Sequence, residues 1–200
     1  LLQEASRLRA LGSLIDPPES NAAERYQRVL ATDPENAIAT QGMSEIIAQV
    51  QRRFYDLIGL RGFVDIDRLI ERAIAVGLGE ASVAEFKSRY ALERERVDRV
   101  EALIAGAEQL IGQGFITEPA DNNAVATLRE ALRLDPGNRD AEQRLIESAE
   151  RLALVAHEAH DVGLQTEARL YLELALTVRP DVGEWRQLRD QWIKDITADD

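Results

Sequence analysis

Cysteine is absent from the 200-residue chain, and histidine occurs only twice. The first absence excludes disulfides, thiolate zinc sites and cysteine nucleophiles. The second leaves one place, around His157 and His160, where imidazole chemistry is available. Positive charge is also scarce: 24 Lys+Arg face 36 Asp+Glu, a formal net charge of -12. Nucleic-acid binding needs cations to displace phosphate counterions, so this balance argues against a nucleic-acid partner. No apolar run approaches the ~18 residues that a membrane-spanning helix requires, so no direct membrane insertion is expected in this segment. No secretory leader is visible; the chain opens on Leu1, and the natural N-terminus is expected to lie upstream. Missing cysteine fits the cytoplasm and the periplasm alike.

Some catalytic signatures are missing too. There is no Gly-x-Ser-x-Gly turn and no phosphate-cradling glycine-rich loop. The glycines at 59, 62, 77 and 79 fall between apolar-periodic segments, where turns account for them. Carboxylates are plentiful, but none is singled out as a pair for acid–base work. The chain is expected to be non-enzymatic and to need no cofactor.

Apolar residues amount to 45%, too many for a disordered chain, and the length suffices for one or two domains with a core. The apolar period is helical throughout. Leu1, Ala5, Leu8 and Leu11 are three or four apart, and Gly12 then suits a helix end. Ser20 or Asn21 is placed to cap a second helix bearing Ala22, Tyr26, Val29 and Leu30, which Asp33-Pro34 stops. Asn36 is placed to cap a third, from about 37 to 58. A short helix is expected from Asp65, bearing Ile66, Leu69, Ile70, Ala73 and Ile74. A long pattern follows from about 81 to 112, with Glu93 interrupting its stripe, and further helices are expected near 122–134, 138–161, 165–178 and 182–195. No segment reads as a strand.

Sliding the chain against itself adds the strongest signal. At a shift of 102 residues, Gly12, Pro17, Asn21-Ala22, Leu30, Asp33-Pro34, Asn36, Ala39, Gln41 and Glu45 all meet their own kind. That is eleven identities in the 35 positions from 12 to 46, in one unbroken register of turn formers and apolar sites. Glu71, Ala73 and Val76 likewise meet Glu173, Ala175 and Val178. The expected organisation is therefore two related units, 1–98 and 99–200, in one continuous all-α stack. The long central helix fuses the last helix of one unit to the first of the next. In this register Leu1 begins partway along a helix, and the helix holding Trp192 is expected to continue into further sequence. Helical hairpins of this kind bury their apolar faces only by stacking on neighbours.

Ala22, Tyr26, Val29 and Pro34 resemble the second helix of the tetratricopeptide repeat, a helix-turn-helix unit of about 34 residues. Ala124, Leu128, Ala131 and Pro136 are similar, as are Ala168, Leu172, Ala175 and Pro180; Ile66, Ile70 and Ala73 keep part of the pattern. The tryptophan, Leu-Gly and tyrosine of that family's first helix are poorly kept. The block from Gly12 to Asn36 also resembles segments of bacterial cell-envelope proteins that carry such repeats. The resemblance implies an antiparallel α-solenoid that binds another protein or a peptide, commonly on the concave face lined by first helices. In this sequence those are the helices at 37–58, 81–112 and 138–161. Their candidate peptide-binding cations are Arg52, Arg53, Lys87, Arg94 and Arg151, suited to an acidic peptide or a C-terminal carboxylate. Ordinary solvated ion pairs are the competing account of each.

His157, His160 and Asp161 share a helix face, which makes the two histidines metal or pH-sensing candidates. Their spacing of three is not the spacing of four in the zinc-protease signature, and no fourth ligand is evident. Trp185 and Trp192 lie seven apart on one face, expected either to pack on the preceding helix pair or to offer a seam to a partner. Two other roles stay open: a structural spacer without a ligand groove, and a metal or pH sensor. A homo-oligomer is a further open arrangement. The resemblance to envelope proteins points to the periplasm or cell envelope, with the cytoplasm as the alternative.

Overall fold

The computed structural model describes the backbone of residues 1–198 and the side chains of residues 1–194. Among the described residues there are nine helices and no strand. They are α1 (Leu2–Ala10), α2 (Ala22–Thr32), α3 (Ala37–Gly59), α4 (Phe63–Ala75), α5 (Glu80–Gln113), α6 (Ala124–Leu134), α7 (Arg139–Asp161), α8 (Gln165–Val178) and α9 (Gly183–Ala198). The chain divides into two compact units, Leu1–Glu95 and Arg96–Asp200. The 34-residue helix α5 contributes its first part to one and the remainder to the other.

In the first unit α1, α2 and α3 pack on one another, and α4 packs on α3. Local chemistry fixes where each helix begins. Of the two residues suited to start α2, Asn21 is the cap: its Oδ1 accepts from the Glu24 backbone N–H at 3.0 Å, and its Nδ2 donates to the Pro17 carbonyl at 3.0 Å. Asn21 is fully buried, so it leaves neither end of its amide unpaired. Asn36 caps α3 in the same way, accepting from Ala39 N–H at 3.0 Å and donating to Asp33 Oδ2. Gly12 ends α1 at φ +80°, a conformation open to glycine for want of a Cβ. The N–H groups of Gly12 and Ser13 then return to the carbonyls of Arg9 and Leu8. The helix expected from Asp65 begins two residues earlier, at Phe63. No side chain caps it, and the Phe63 ring in its first turn is tilted against Tyr90 at 5.9 Å.

The core of this unit gathers Tyr26, Ile46, Val50, Phe54, Ile66, Leu78 and Phe86, all essentially buried. Phe54 of α3 stacks on Phe86 of α5 at 4.6 Å. Burying such a side chain is worth about 1.5–3 kcal/mol, so these few positions dominate the stability of the unit. Tyr26 is the largest fully buried side chain, and two neighbours make its place. Gly42 of α3 lies against the ring so closely that a Cβ there would overlap it. Ser6 of α1 hydrogen-bonds the phenol at 3.0 Å. Two polar clamps close the unit. Arg72 of α4 donates to Asp16 Oδ1 at 2.6 Å and to the Ile15 carbonyl at 2.7 Å, and Gln27 of α2 donates to the Val76 carbonyl at the end of α4.

In the second unit α6 packs on α7, α7 on α8, and α8 on α9. Asn123 caps α6 through Ala126 N–H at 2.8 Å and donates to the Pro119 carbonyl at 3.0 Å. Because Asn123 is the extended cap residue, α6 starts at Ala124 rather than near 122. Asn138 caps α7 through Ala141 N–H at 3.0 Å. The core holds Leu128, Leu152, Leu172 and Trp192 with a high share of alanine: Ala124, Ala131, Ala141, Ala149, Ala156, Ala168 and Ala175 are fully buried. Small side chains of this kind let helix backbones approach closely. Arg129 of α6 donates to the Thr177 carbonyl near the end of α8 at 2.9 Å. Both Asp16–Pro17 and Glu118–Pro119 are cis.

Candidate functional site

The five cations named from the sequence fall into different settings. Arg52 and Arg53 are exposed on α3, just before the buried Phe54, and neither has an ion-pair partner among the described residues. Beside them Tyr55 donates to Glu85 Oε1 of α5 at 2.7 Å. That bond, with the Glu85 charge, holds the phenol above its ordinary pKa. Arg94 is engaged with aromatic rings, its guanidinium lying 5.1 Å from the centre of Phe63 and 6.0 Å from that of Tyr90. It is therefore occupied within its own unit rather than presented to a ligand.

Lys87 lines a cleft of about 530 Å3 between the end of α4 and the first turns of α5. Ile74, Leu78, Val83 and Ala84 form an apolar floor, and Glu80 stands in the first turn of α5. Gly77 and Gly79, both at positive φ, carry the chain across the cleft's edge. Among the described residues Lys87 has no ion-pair partner and no side-chain hydrogen bond, which leaves its ammonium at the rim of the cleft. The lining contains no hydroxyl and no imidazole. What the arrangement offers is adhesion: an apolar surface with one positive side chain, Lys87, and one negative one, Glu80.

Arg151, in the second unit, lines a cleft of about 420 Å3 with Glu108, Ile111, Arg144, Glu147 and Ser148. Arg144 bridges Glu108 of α5 and Glu147 of its own helix, the latter at 3.1 Å. Those partners raise the pKa of the guanidinium, and bonds from Gln143 and Arg144 hold the Glu147 carboxyl below its ordinary range. Arg151 has no such partner. The wall of this cleft thus has one satisfied cation and one free one.

His157 and His160 meet Trp192. The His160 ring stacks on the indole at 4.5 Å with an interplanar angle of 11°, and His157 approaches edge-on at 5.7 Å. Trp192 is buried and Trp185 half-buried, both within the core that α7, α8 and α9 share. His160 Nδ1 lies 4.0 Å from Asp161. Among the described residues no three His, Asp or Glu side chains are grouped to hold a metal ion. Here the two imidazoles serve to seat α9 on α7.

Sequence reasoning picked out Lys87 and Arg151 by charge but not the apolar and acidic residues that surround them. For Arg151 a signal was present. Position 144 carries arginine where position 42 carries glycine, 102 residues earlier, and position 108 carries glutamate where position 6 carries serine. For the Lys87 cleft the residues Ile74, Leu78 and Val83 read as ordinary core positions. Only the geometry shows Ile74 half exposed beside the buried Leu78. No helix among the described residues is long and apolar enough to cross a membrane. In comparisons with known proteins, no family model, no curated protein and no solved structure matches this chain.

Proposed function

We propose that the chain is a tetratricopeptide-like α-solenoid segment whose work is to hold another protein or a peptide. The duplication read from the sequence is supported by matched local chemistry. Asn21 and Asn123 make the same cap and the same return bond to a proline carbonyl. The N–H groups of Ala22 and Ala124 bond to Ser13 and Phe115, again 102 residues apart. Gln27 and Arg129 both reach from the second helix to the end of the fourth.

The observation that carries the binding role is the Lys87 cleft. An ammonium beside Ile74, Leu78 and Val83 matches a ligand that joins an apolar side chain to a carboxylate. The C-terminal residue of a peptide has that composition. The test is fluorescence anisotropy with labelled peptides ending in leucine, each with a free or an amidated C-terminus. Free-carboxylate peptides are expected to bind, and Lys87→Glu to weaken them at least tenfold without changing the melting transition. Equal binding of amidated peptides, or indifference to Lys87→Glu, would sink this reading in favour of a spacer.

A further inference from the structure

The two units differ at one groove in a way that opens a second site. In the first unit Arg25 occupies part of the groove between α1 and α2, with the half-exposed Glu4 at its edge. Arg25 lies 3.4 Å from Glu4, and its side chain is only 14% exposed. Two of its nitrogens, Nε and Nη1, are buried there without a hydrogen bond, so the guanidinium is wedged into the groove rather than optimally paired. At a shift of 102 residues Glu4 meets Gly106 and Arg25 meets Thr127. Both side chains are cut back at once. In the second unit the later part of α5 and α6 border an open groove of about 340 Å3; Gly106 and Thr127 line it where the first unit has Glu4 and Arg25, while Arg99 and Ala102 match no position of the first unit. That volume is within the ~300–1,000 Å3 range of small-ligand sites.

The lining is chemically specific. Leu103, Leu110 and Gly106 form the floor, and the rim carries Gln109, Gln113 and Asn122. Each carboxamide has both donors and an acceptor, and none of the three bonds to another residue. Arg99 is the sole charged side chain among the lining residues. Among the described residues it has no direct ion-pair partner; nearby Glu130, which feels its charge, is bonded to Arg133 instead.

We propose that this cavity binds a small carboxylate that carries amide groups. Arg99 takes the carboxylate through its forked N–H donors, and the three carboxamides pair with the ligand's amides. The site is separate from the Lys87 cleft and does not rest on the peptide-binding role.

The test uses the full chain and two isosteric probes, N-acetylglutamic acid α-amide and N-acetylglutamine α-amide, followed by NMR of the side-chain amides. The acidic probe is expected to shift the Gln109, Gln113 and Asn122 signals and to bind at least tenfold tighter than the neutral one. Arg99→Gln is expected to remove that preference. Gly106→Glu with Thr127→Arg, which refills the groove with the side chains of positions 4 and 25, is expected to abolish binding. Lys87→Glu is expected to leave it unchanged, which separates this site from the other. Absence of shifts at millimolar probe, equal binding of the two probes, or full binding by the refilled variant would overturn the proposal. Because Arg99→Gln changes only an exposed side chain, a folding failure of the refilled variant leaves the Arg99 result to decide.

Discussion

Tyr26 and Leu128 occupy the same place on α2 and α6, yet their surroundings are built in opposite ways. Around Tyr26 the neighbours retreat: Gly42 gives the ring its room and Ser6 bonds its hydroxyl. Around the smaller Leu128 the same two positions expand, to Arg144 and Glu108, which pair across the groove. The first unit thus encloses one large aromatic side chain. The second has a leucine there and an ion pair at the surface. A similar exchange occurs at the turn before the second helix. Arg72 bonds Asp16 and the Ile15 carbonyl in the first unit, whereas Leu174 packs by apolar contact against the core of the second. If the two units repeat one backbone, as proposed, it tolerates several side-chain solutions provided that neighbouring positions change together. The cavity beside Gly106 is what remains when both members of such a set become small.

The sharpest way to break this comparison is to mix the two solutions. Gly42→Arg, the residue of the second unit placed in the first, is expected to cost about 3 kcal/mol, because its Cβ meets the Tyr26 ring. Adding Tyr26→Leu is expected to recover more than 1 kcal/mol of that loss. Urea unfolding of the single and double variants measures the coupling, and strictly additive costs would show that the positions are independent.

A smaller effect tests what the units share. Asn21→Ala and Asn123→Ala each remove an N-cap and one of the two donors to a proline carbonyl, which keeps the backbone N–H of Ser20 or Asn122. Each is expected to lower stability by about 1–2 kcal/mol, and by similar amounts in the two units. A loss confined to one unit, seen by hydrogen exchange at α2 and α6, would contradict their equivalence. Third, the end of α3 puts Arg61 at φ +54°, where the end of α7 has Gly163 at φ +83°. Side chains are strained in this left-handed region, so Gly163→Arg is expected to destabilise by about 1 kcal/mol. An unchanged denaturation midpoint would argue that the turn relaxes.

The smallest expected effect is electrostatic. Arg179 holds Asp181 through two bonds of 2.9 and 2.7 Å and lowers its pKa to about 2. The folded value lies below the unfolded one. The contribution is therefore complete above about pH 4 and is lost as pH falls toward 2. The pair is solvent-exposed, so only a slight change in acid stability is expected. Carboxyl NMR should show Asp181 titrating near 2 and returning to the ordinary aspartate range in Arg179→Ala.

Much of the helical layout was legible because capping and periodicity are local. Asn36 caps its helix as residue type and spacing imply, and the same residue type caps α6 and α7 at Asn123 and Asn138. α4 begins without a side-chain cap, and the Phe63 ring in its first turn packs against Tyr90, far along the chain, a contact that local sequence does not reveal. The candidate cations show the other limit. Charge and spacing treat Lys87 and Arg94 alike, but Arg94 lies over two rings and Lys87 stands at the rim of a cleft.

By itself the sequence determined that the chain is helical, roughly where most helices lie, and which letters recur 102 positions apart. Each of these depends on backbone bonding and side-chain pattern within a few turns, or on direct comparison of letters. The tertiary structure alone decided which positive groups are spent and which are free, and which grooves are filled. Those outcomes depend on the volume and charge that distant helices bring to one place. A pair such as Gly106 and Thr127 looks unremarkable until α5 and α6 are packed and the space between them is left empty.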